Sequence, residues 1–379
     1  MADERSPEGS PDPSADSSKR KRNRKKRRAQ HNPFVVGMSL LMTLAVIGVV
    51  GGSLLFFTMF QRFTEPGPST DIQTVLIPPG SSQARITTLL TDAGVISDEW
   101  VFKTGVQLFG EESNLKAGEY AFEPGVSMME VMNQIVAGRS IQHKVTVPEG
   151  FSTTQAIDRV RSHEVLMGEI GEIPPEGSLL PETYVFTRGT TRQELVDRMR
   201  EAHNVALAEI WANRDPDIPV STPEELVILA SIVEKETAVA AERPEVAGVF
   251  VNRLRVGQKL ESDPTILYGL YKGEAWTRPR TIYRSELDAP NNPYNTYQIP
   301  GLPPGPIANP GRESMAAVAN PAEHEFFFFV ADGTGGHAFA RTFDEHLDNV
   351  ARWREIERQR ANGASESGIT DIAPDSSGN

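Results

Sequence analysis

The sequence predicts an α+β protein carried on a single N-terminal transmembrane helix, and three observations predict it. One uncharged apolar run lies near the N-terminus. Short β-rich runs then alternate with Pro/Gly turns and helical stretches to about residue 165. Beyond residue 190 helix-period segments dominate.

The apolar run comes first. No side chain from Asn32 to Gln61 is formally charged, and residues 34–60 are almost wholly apolar. As a helix this run is long enough to cross a hydrocarbon core of about 30 Å. Residues 19–28, Lys-Arg-Lys-Arg-Asn-Arg-Lys-Lys-Arg-Arg, hold nine basic side chains in ten. Alone, such a run reads as a nuclear-localisation or nucleic-acid patch. Beside a membrane span it reads as the cytoplasmic flank of an anchor. A cleaved signal peptide is the weaker reading, because the apolar run exceeds the about 7–15 residues of a signal-peptide core and no clear small-x-small cleavage site follows it. The expected topology is therefore single-pass, with the N-terminus cytoplasmic and the bulk of the chain across the membrane.

Residues 1–33 carry a net charge of +5, which leaves −18 on the remainder of a chain whose total is −13. That acidic remainder argues against nucleic acid as a partner, because phosphate binding needs a basic surface. The sequence contains no cysteine, which excludes a disulfide scaffold and thiolate metal sites. The expected segments are a disordered basic tail (1–33), the membrane helix (34–60), a Pro/Gly linker (61–71), a small α+β module (72–165), a helix-rich domain (166–361) and a polar tail (362–379).

The small module shows a weak internal echo. Val75-Leu-Ile-Pro-Pro-Gly-Ser-Ser, Tyr120-Ala-Phe-Glu-Pro-Gly-Val-Ser and Val145-Thr-Val-Pro-Glu-Gly-Phe-Ser each run from a β-rich stretch through a Pro/Gly turn to a serine. Each serine precedes a helix-period stretch, roughly 83–93, 127–137 and 152–162, that it can cap. In the following domain, candidate helices span Arg192–Arg214, Pro223–Ala241, Pro244–Val256, residues 312–319 and Thr342–Ala361. The run Phe326-Phe-Phe-Phe-Val330 reads as a buried strand.

The helix beginning at Pro223 carries the most specific signal. Thr222 can cap it, Pro223 fits its first position and Glu225 completes a capping box. With Leu229 set at zero and about 100° per residue, Leu226 and Val233 fall at roughly +60° and +40°, and Ile232 at roughly −60°. Glu236 falls at roughly −20°, in the centre of the apolar stripe, whereas Glu234 points outward at roughly 140°. A carboxyl group with apolar neighbours resists ionisation, and a protonated acid near neutral pH can donate to a leaving oxygen. The alternative is that the helix ends near Thr237 and Glu236 emerges into solvent, as most acids near helix ends do.

Other chemistries lack their motifs. No His-x-x-x-His pair occurs, so no metal or other cofactor is expected. The Gly-rich turn before His337 has no Gly-Lys-Ser/Thr ending, and no Gly-x-Ser-x-Gly elbow is present. Asn252, Asp263 and the Tyr294-Asn-Thr-Tyr297 loop, followed by a Gly/Pro-rich stretch to Gly311, are candidates for lining a polymer-binding cleft. An ordinary exposed loop has the same composition.

These residues carry a resemblance. Leu229-Ala-Ser-Ile-Val-Glu-Lys-Glu-Thr237, Val249-Phe-Val-Asn-Arg-Leu254, Ser262-Asp-Pro-Thr265, Tyr294-Asn-Thr-Tyr297, Gly301-Leu-Pro-Pro-Gly305 and Phe329-Val-Ala-Asp-Gly333 resemble the YceG family. These are the MltG-type endolytic murein transglycosylases of bacterial inner membranes. The block Glu176-Gly-Ser-Leu-Leu-Pro-Glu-Thr-Tyr184 keeps the family's Glu-Gly and Pro-x-Thr skeleton but lacks the aromatic residues that often fill its centre.

The resemblance implies a LysM-like module over 72–165 and a lysozyme-like catalytic domain over 166–361. It implies cleavage of the β-1,4 bond between N-acetylmuramic acid and N-acetylglucosamine, leaving a 1,6-anhydro end. Glu236, whose Glu-Thr pair is similar to the Glu-Ser pair of lysozyme-like transglycosylases, becomes the expected catalytic acid, with Glu234 the fallback. Ser231, Asn252, Asp263, Tyr294, Asn295, Thr296 and Tyr297 become the expected substrate-binding positions. The implied partners are nascent peptidoglycan, the bilayer and the peptidoglycan synthases, with the catalytic domain periplasmic. A membrane-tethered peptidoglycan-binding scaffold is the non-catalytic alternative. A two-carboxylate muramidase would need a second acid, for which Asp263 and Glu261 are the candidates near in sequence.

Overall fold

The computed structural model describes residues 33–277 and 282–367. The basic stretch 19–28 and the end of the expected C-terminal tail lie outside these residues. The chain divides into two compact units, with the boundary between Arg62 and Phe63.

The first unit is dominated by helix α1 (Pro33–Thr64). Within Phe34–Thr64 an 18-residue window reaches a mean hydropathy of 2.4, and this is one helix long and apolar enough to cross a membrane. Its large apolar side chains, from Phe34 to Phe57, are exposed. The helix runs a few residues past Phe60, where the sequence predicts a linker.

The second unit begins with strand β1 (Gln73–Ile77), helices α2 (Gln83–Asp92) and α3 (Glu99–Leu108), strand β2 (Gly118–Phe122) and helix α4 (Met128–Ala137). β1 and β2 pair antiparallel with Val75 opposite Tyr120; α2 packs on β1, α3 packs on α2, and Gln134 of α4 donates to the Ala121 carbonyl of β2 (2.9 Å). Strand β3 (His143–Thr146), helix α5 (Thr153–Arg161) and strand β4 (Thr183–Phe186) repeat the idea, with β3 and β4 antiparallel. The three echoed serines are all N-caps: Ser82 accepts from the Arg85 N–H, Ser127 from Glu130 and Ser152 from Gln155. The last two form full capping boxes, so the recurring serine sets where each helix starts. Because β3 pairs with β4, this layer extends past residue 165.

Helix α6 (Arg192–Ala212) leads from the β3–β4 layer into a helical core. Helices α7 (Pro223–Glu236), α8 (Arg243–Arg255), α9 (Asp263–Tyr271), α10 (Arg284–Leu287) and α11 (Arg312–Ala319) follow. Leu226, Leu229, Ala230, Ile232 and Val233 of α7 are fully buried, in one cluster with Phe250 of α8 and Met315 and Val318 of α11. Strands β5 (Phe328–Ala331) and β6 (His337–Ala340) form an antiparallel hairpin, and helix α12 (Phe343–Ser367) closes the described chain.

Three further elements differ from expectation. α7 stops at Glu236 rather than Ala241, because Thr237 is extended (φ −134°, ψ 132°). The phenylalanine run is not a buried strand: only its second half enters β5, and each β5 residue keeps some exposure. A two-stranded hairpin buries one face and leaves the other free, and here Phe329 packs edge-on to Phe250 while Phe328 meets Phe343. α12 continues to Ser367, past the residue-362 start of the expected tail.

Candidate active site

Glu236 is the last residue of α7, and α7 ends there for a local reason. Thr237 turns its hydroxyl toward the next loop, where Oγ1 accepts from the Val239 N–H (3.0 Å) and donates to Glu242 (3.3 Å). Glu242 in turn takes both the backbone N–H (2.8 Å) and Nδ1 (2.7 Å) of His337, tying the helix end to β6. Glu236 is thereby left partly buried, facing a cavity of about 260 Å³. Arg253, Glu261, Asp263, Tyr297 and the rings of Phe328, Phe329, Phe343 and His346 share its walls.

One hydroxyl addresses the Glu236 carboxyl. Ser262 Oγ donates to Oε1 at 2.5 Å. Ser262 is held by its own backbone: its N–H donates to Thr296 Oγ1 (2.9 Å) and its carbonyl accepts from Thr265 Oγ1 (2.6 Å). The preceding residue, Glu261, has φ +51°, a left-handed conformation that costs a non-glycine residue about 1–3 kcal/mol. That turn lets Ser262 face the end of α7.

Burial pushes the Glu236 carboxyl up to about 7, with the Asp263 charge adding to the rise. The Ser262 hydrogen bond and the charges of His337 and Arg253 oppose it. The result is an acid that holds its proton to near neutrality and releases it within reach of a small change in environment.

Glu234 is a different carboxylate. Periodicity points it outward, but its side chain is only 5% exposed. Oε2 accepts from the Gly311 N–H (2.9 Å) and Ser314 Oγ (2.7 Å), and Oε1 accepts from Arg243 (3.3 Å). Arg243 also pairs with Glu149 (2.7 Å) and Glu313 (2.8 Å). The start of α11 covers the side of α7 that the helical wheel leaves open, and a Cβ at Gly311 would displace the Glu149 side chain from its present position. Glu234 is saturated with donors, while Glu236 faces open volume.

The sequence profile of the YceG-like family matches residues 75–352, most of the chain, including this site. The chain belongs to the YceG-like family. A relative from Bacillus subtilis (strain 168), named endolytic murein transglycosylase, is 28% identical over 330 residues, covering 79% of this chain and 89% of its own. A relative of the same name from Streptococcus pneumoniae serotype 2 is 27% identical over 323 residues, covering 73% of this chain. The chain spans only 58% of that longer relative. A crystal structure of a YceG-like protein from Listeria monocytogenes is 28% identical, with a TM-score of 0.46, and covers 74% of this chain and 99% of its own.

In this YceG-like chain the residues singled out from sequence separate into groups. Asp263 and Tyr297 line the Glu236 cavity and are joined, with Tyr297 Oη donating to Asp263 at 2.8 Å. Thr296 is fully buried and reaches Glu236 only through Ser262. Asn295, also fully buried, spends its amide on the Leu287 carbonyl (2.9 Å) and its neighbours. Tyr294 packs edge-on to Tyr268 (5.0 Å) under Lys272, away from the cavity. Ser231 is buried, donating to the Ile228 carbonyl and accepting from the Ile307 N–H. Asn252 donates to the His324 and Phe326 carbonyls and lines a separate cavity with Asp215 and Arg255.

Ser262, Arg253 and the rings of α12 escape a reading by sequence. Ser262 stands inside a recognisable block, but a serine before Asp-Pro reads as a helix cap, and nothing local shows that it meets a glutamate 26 residues earlier.

Proposed function

We propose that this chain is an endolytic peptidoglycan lytic transglycosylase in which Glu236 is the general acid and then the general base. The observation that carries the reading is an enclosed carboxyl, raised to about 7, facing a cavity large enough for a sugar ring and its substituents. Membership of the YceG-like family, and the name shared by the two relatives, support the substrate class.

Protonated Glu236 gives its proton to the glycosidic oxygen as the bond from C1 of N-acetylmuramic acid to N-acetylglucosamine breaks. The carboxylate so formed takes the proton of the muramyl 6-hydroxyl, and O6 closes on C1 to leave the 1,6-anhydro end. No water is consumed, and the carboxyl ends the cycle protonated. Positive charge grows at C1 in the transition state, and Asp263 supplies a carboxylate in the same cavity, held by Tyr297. Ser262 steadies the ionised form of Glu236 between the two steps.

The apolar helix anchors the enzyme in the inner membrane with its larger unit periplasmic, where nascent strands and their synthases lie. The strand–helix layers built on β1–β2 and β3–β4 are the LysM-like element that holds the glycan, and the helical core is the lysozyme-like catalytic part. A second reading, hydrolysis by two carboxylates, has one specific observation in its favour: Glu261 and Asp263 both line the Glu236 cavity.

Purified glycan strands digested with the full chain and with Glu236→Gln, then analysed by mass, test both. Anhydromuramyl ends that vanish in the variant are the expected result. Reducing ends mean hydrolysis. Strands bound but uncut by both proteins mean a scaffold.

A further inference from the structure

The cavity walls divide by chemistry. Glu236, Arg253, Glu261 and Asp263 make a charged side, and Phe328, Phe343 and His346 make an aromatic one. The three rings are in mutual contact. Phe328 and His346 stack at 5.3 Å with 26° between planes, Phe343 meets Phe328 edge-on at 5.8 Å, and Phe343 lies 6.2 Å from His346. The proposed acid mechanism uses none of them.

This wall is built before any ligand arrives. Arg253 lies 5.4 Å from the Phe328 ring centroid, and its guanidinium is fixed by the Phe327 carbonyl (2.7 Å) and the Leu260 carbonyl (2.6 Å). Phe343 and His346 sit one turn apart at the start of α12. There Thr342 Oγ1 accepts from the Glu345 N–H (3.2 Å), and the Glu345 carboxylate accepts from the Arg341 (2.9 Å) and Thr342 (3.3 Å) N–H groups. Even so, Phe343 keeps 58% of its surface exposed. Among the described residues, a phenylalanine fixed in place on a cavity wall, yet left this exposed, lacks the covering partner that burial would give it.

A pyranose fits both sides of this cavity. Its C–H face is apolar and flat enough to lie on a ring, and its rim of hydroxyl and acetamido groups needs hydrogen-bonding neighbours. A wholly apolar ligand would leave Glu261, Asp263 and Arg253 desolvated without compensation. We propose that Phe328, Phe343 and His346 form a sugar-stacking subsite that seats an N-acetylated pyranose beside the bond addressed by Glu236. The inference rests on the transglycosylase reading for the identity of the glycan, and on the shared cavity for its position. His346 suits the role as a neutral ring, since burial and the nearby Arg253 charge disfavour its protonation and outweigh the opposing Glu261 charge.

The test measures binding without turnover. Peptide-free glycan strands are titrated into detergent-solubilised full chain carrying Glu236→Gln, with and without Phe343→Ala. Loss of one stacking ring is expected to raise Kd about 5-fold, and Phe343→Trp to restore it. In the active background Phe343→Ala is expected to raise KM with little change in kcat, the mark of binding lost equally in ground and transition states. Because Phe343 is exposed, the variants should keep the parent melting temperature.

Unchanged Kd and KM in Phe343→Ala overturn the subsite and leave the lytic reading standing. Strands that bind through Phe343 to a chain whose active form releases no anhydro product support the subsite and overturn the lytic reading. A Kd raised equally by Phe343→Ala and Phe343→Trp overturns stacking, since the larger ring offers more surface.

Discussion

Replacing Glu236 with glutamine should make the folded protein more stable, and only above mildly acidic pH. A glutamate carboxyl ordinarily titrates at 4.5, and enclosure raises Glu236 to about 7. The folded state therefore holds this proton more tightly than the unfolded chain does. Below about pH 4.5 both states are protonated and the site costs nothing. Between about 4.5 and 7 the unfolded chain ionises first and stability falls. Above 7 the cost is complete. At about 1.4 kcal/mol per pH unit the difference reaches about 3 kcal/mol, and water in the cavity trims it toward about 2 kcal/mol.

Glutamine is neutral throughout and keeps an acceptor for the Ser262 hydroxyl. The variant should therefore match the parent at pH 4.5 and exceed it by about 2–3 kcal/mol at pH 8. For a unit of this size that is about 3–5 °C in Tm. Thermal unfolding of the full chain in detergent, followed by tryptophan fluorescence at both pH values, reads the difference directly. A gain that is the same at pH 4.5 and pH 8, or a loss at pH 8, would refute the claim that Glu236 is an enclosed, reluctantly ionised acid.

Two substitutions should move the pH–rate profile in opposite directions. Ser262→Ala removes a bond that favours ionised Glu236 and should carry the alkaline limb of kcat/KM, near pH 7 in the parent, upward by about one unit. Asp263→Asn removes a charge that opposes ionisation and should carry the limb downward, so parallel shifts would sink the assignment. Arg243→Met strands Glu234, 5% exposed, without its cation and should cost about 3–5 kcal/mol in urea unfolding. Adding Glu234→Gln to that variant should recover part of the loss. A double variant no more stable than Arg243→Met would mean the pair does not act as a unit.

How much of this site was legible in the sequence depends on the range of the forces that made it. The serine caps at 82, 127 and 152 follow from local hydrogen bonding, which sequence spacing encodes directly. The apolar helix from Phe34 follows from composition and length. Periodicity places Glu236 on the stripe of α7 because the helical repeat is a property of the backbone. The phenylalanine run misled for a related reason. Four adjacent rings say how apolar a segment is, but not whether both faces of its strand will be covered.

The sequence by itself determined the long apolar helix, the caps and the face on which Glu236 lies, since each is settled within a few residues by backbone geometry or transfer free energy. Tertiary structure decided which glutamate is enclosed with open volume before it. Helix α11 arrives from some 80 residues away to saturate Glu234, and the strained turn at Glu261 brings Ser262 onto Glu236. Such contacts depend on chain segments that meet only when the core closes. The proton affinity of Glu236 depends on the same closure, because desolvation is a property of the folded surroundings and not of the residue.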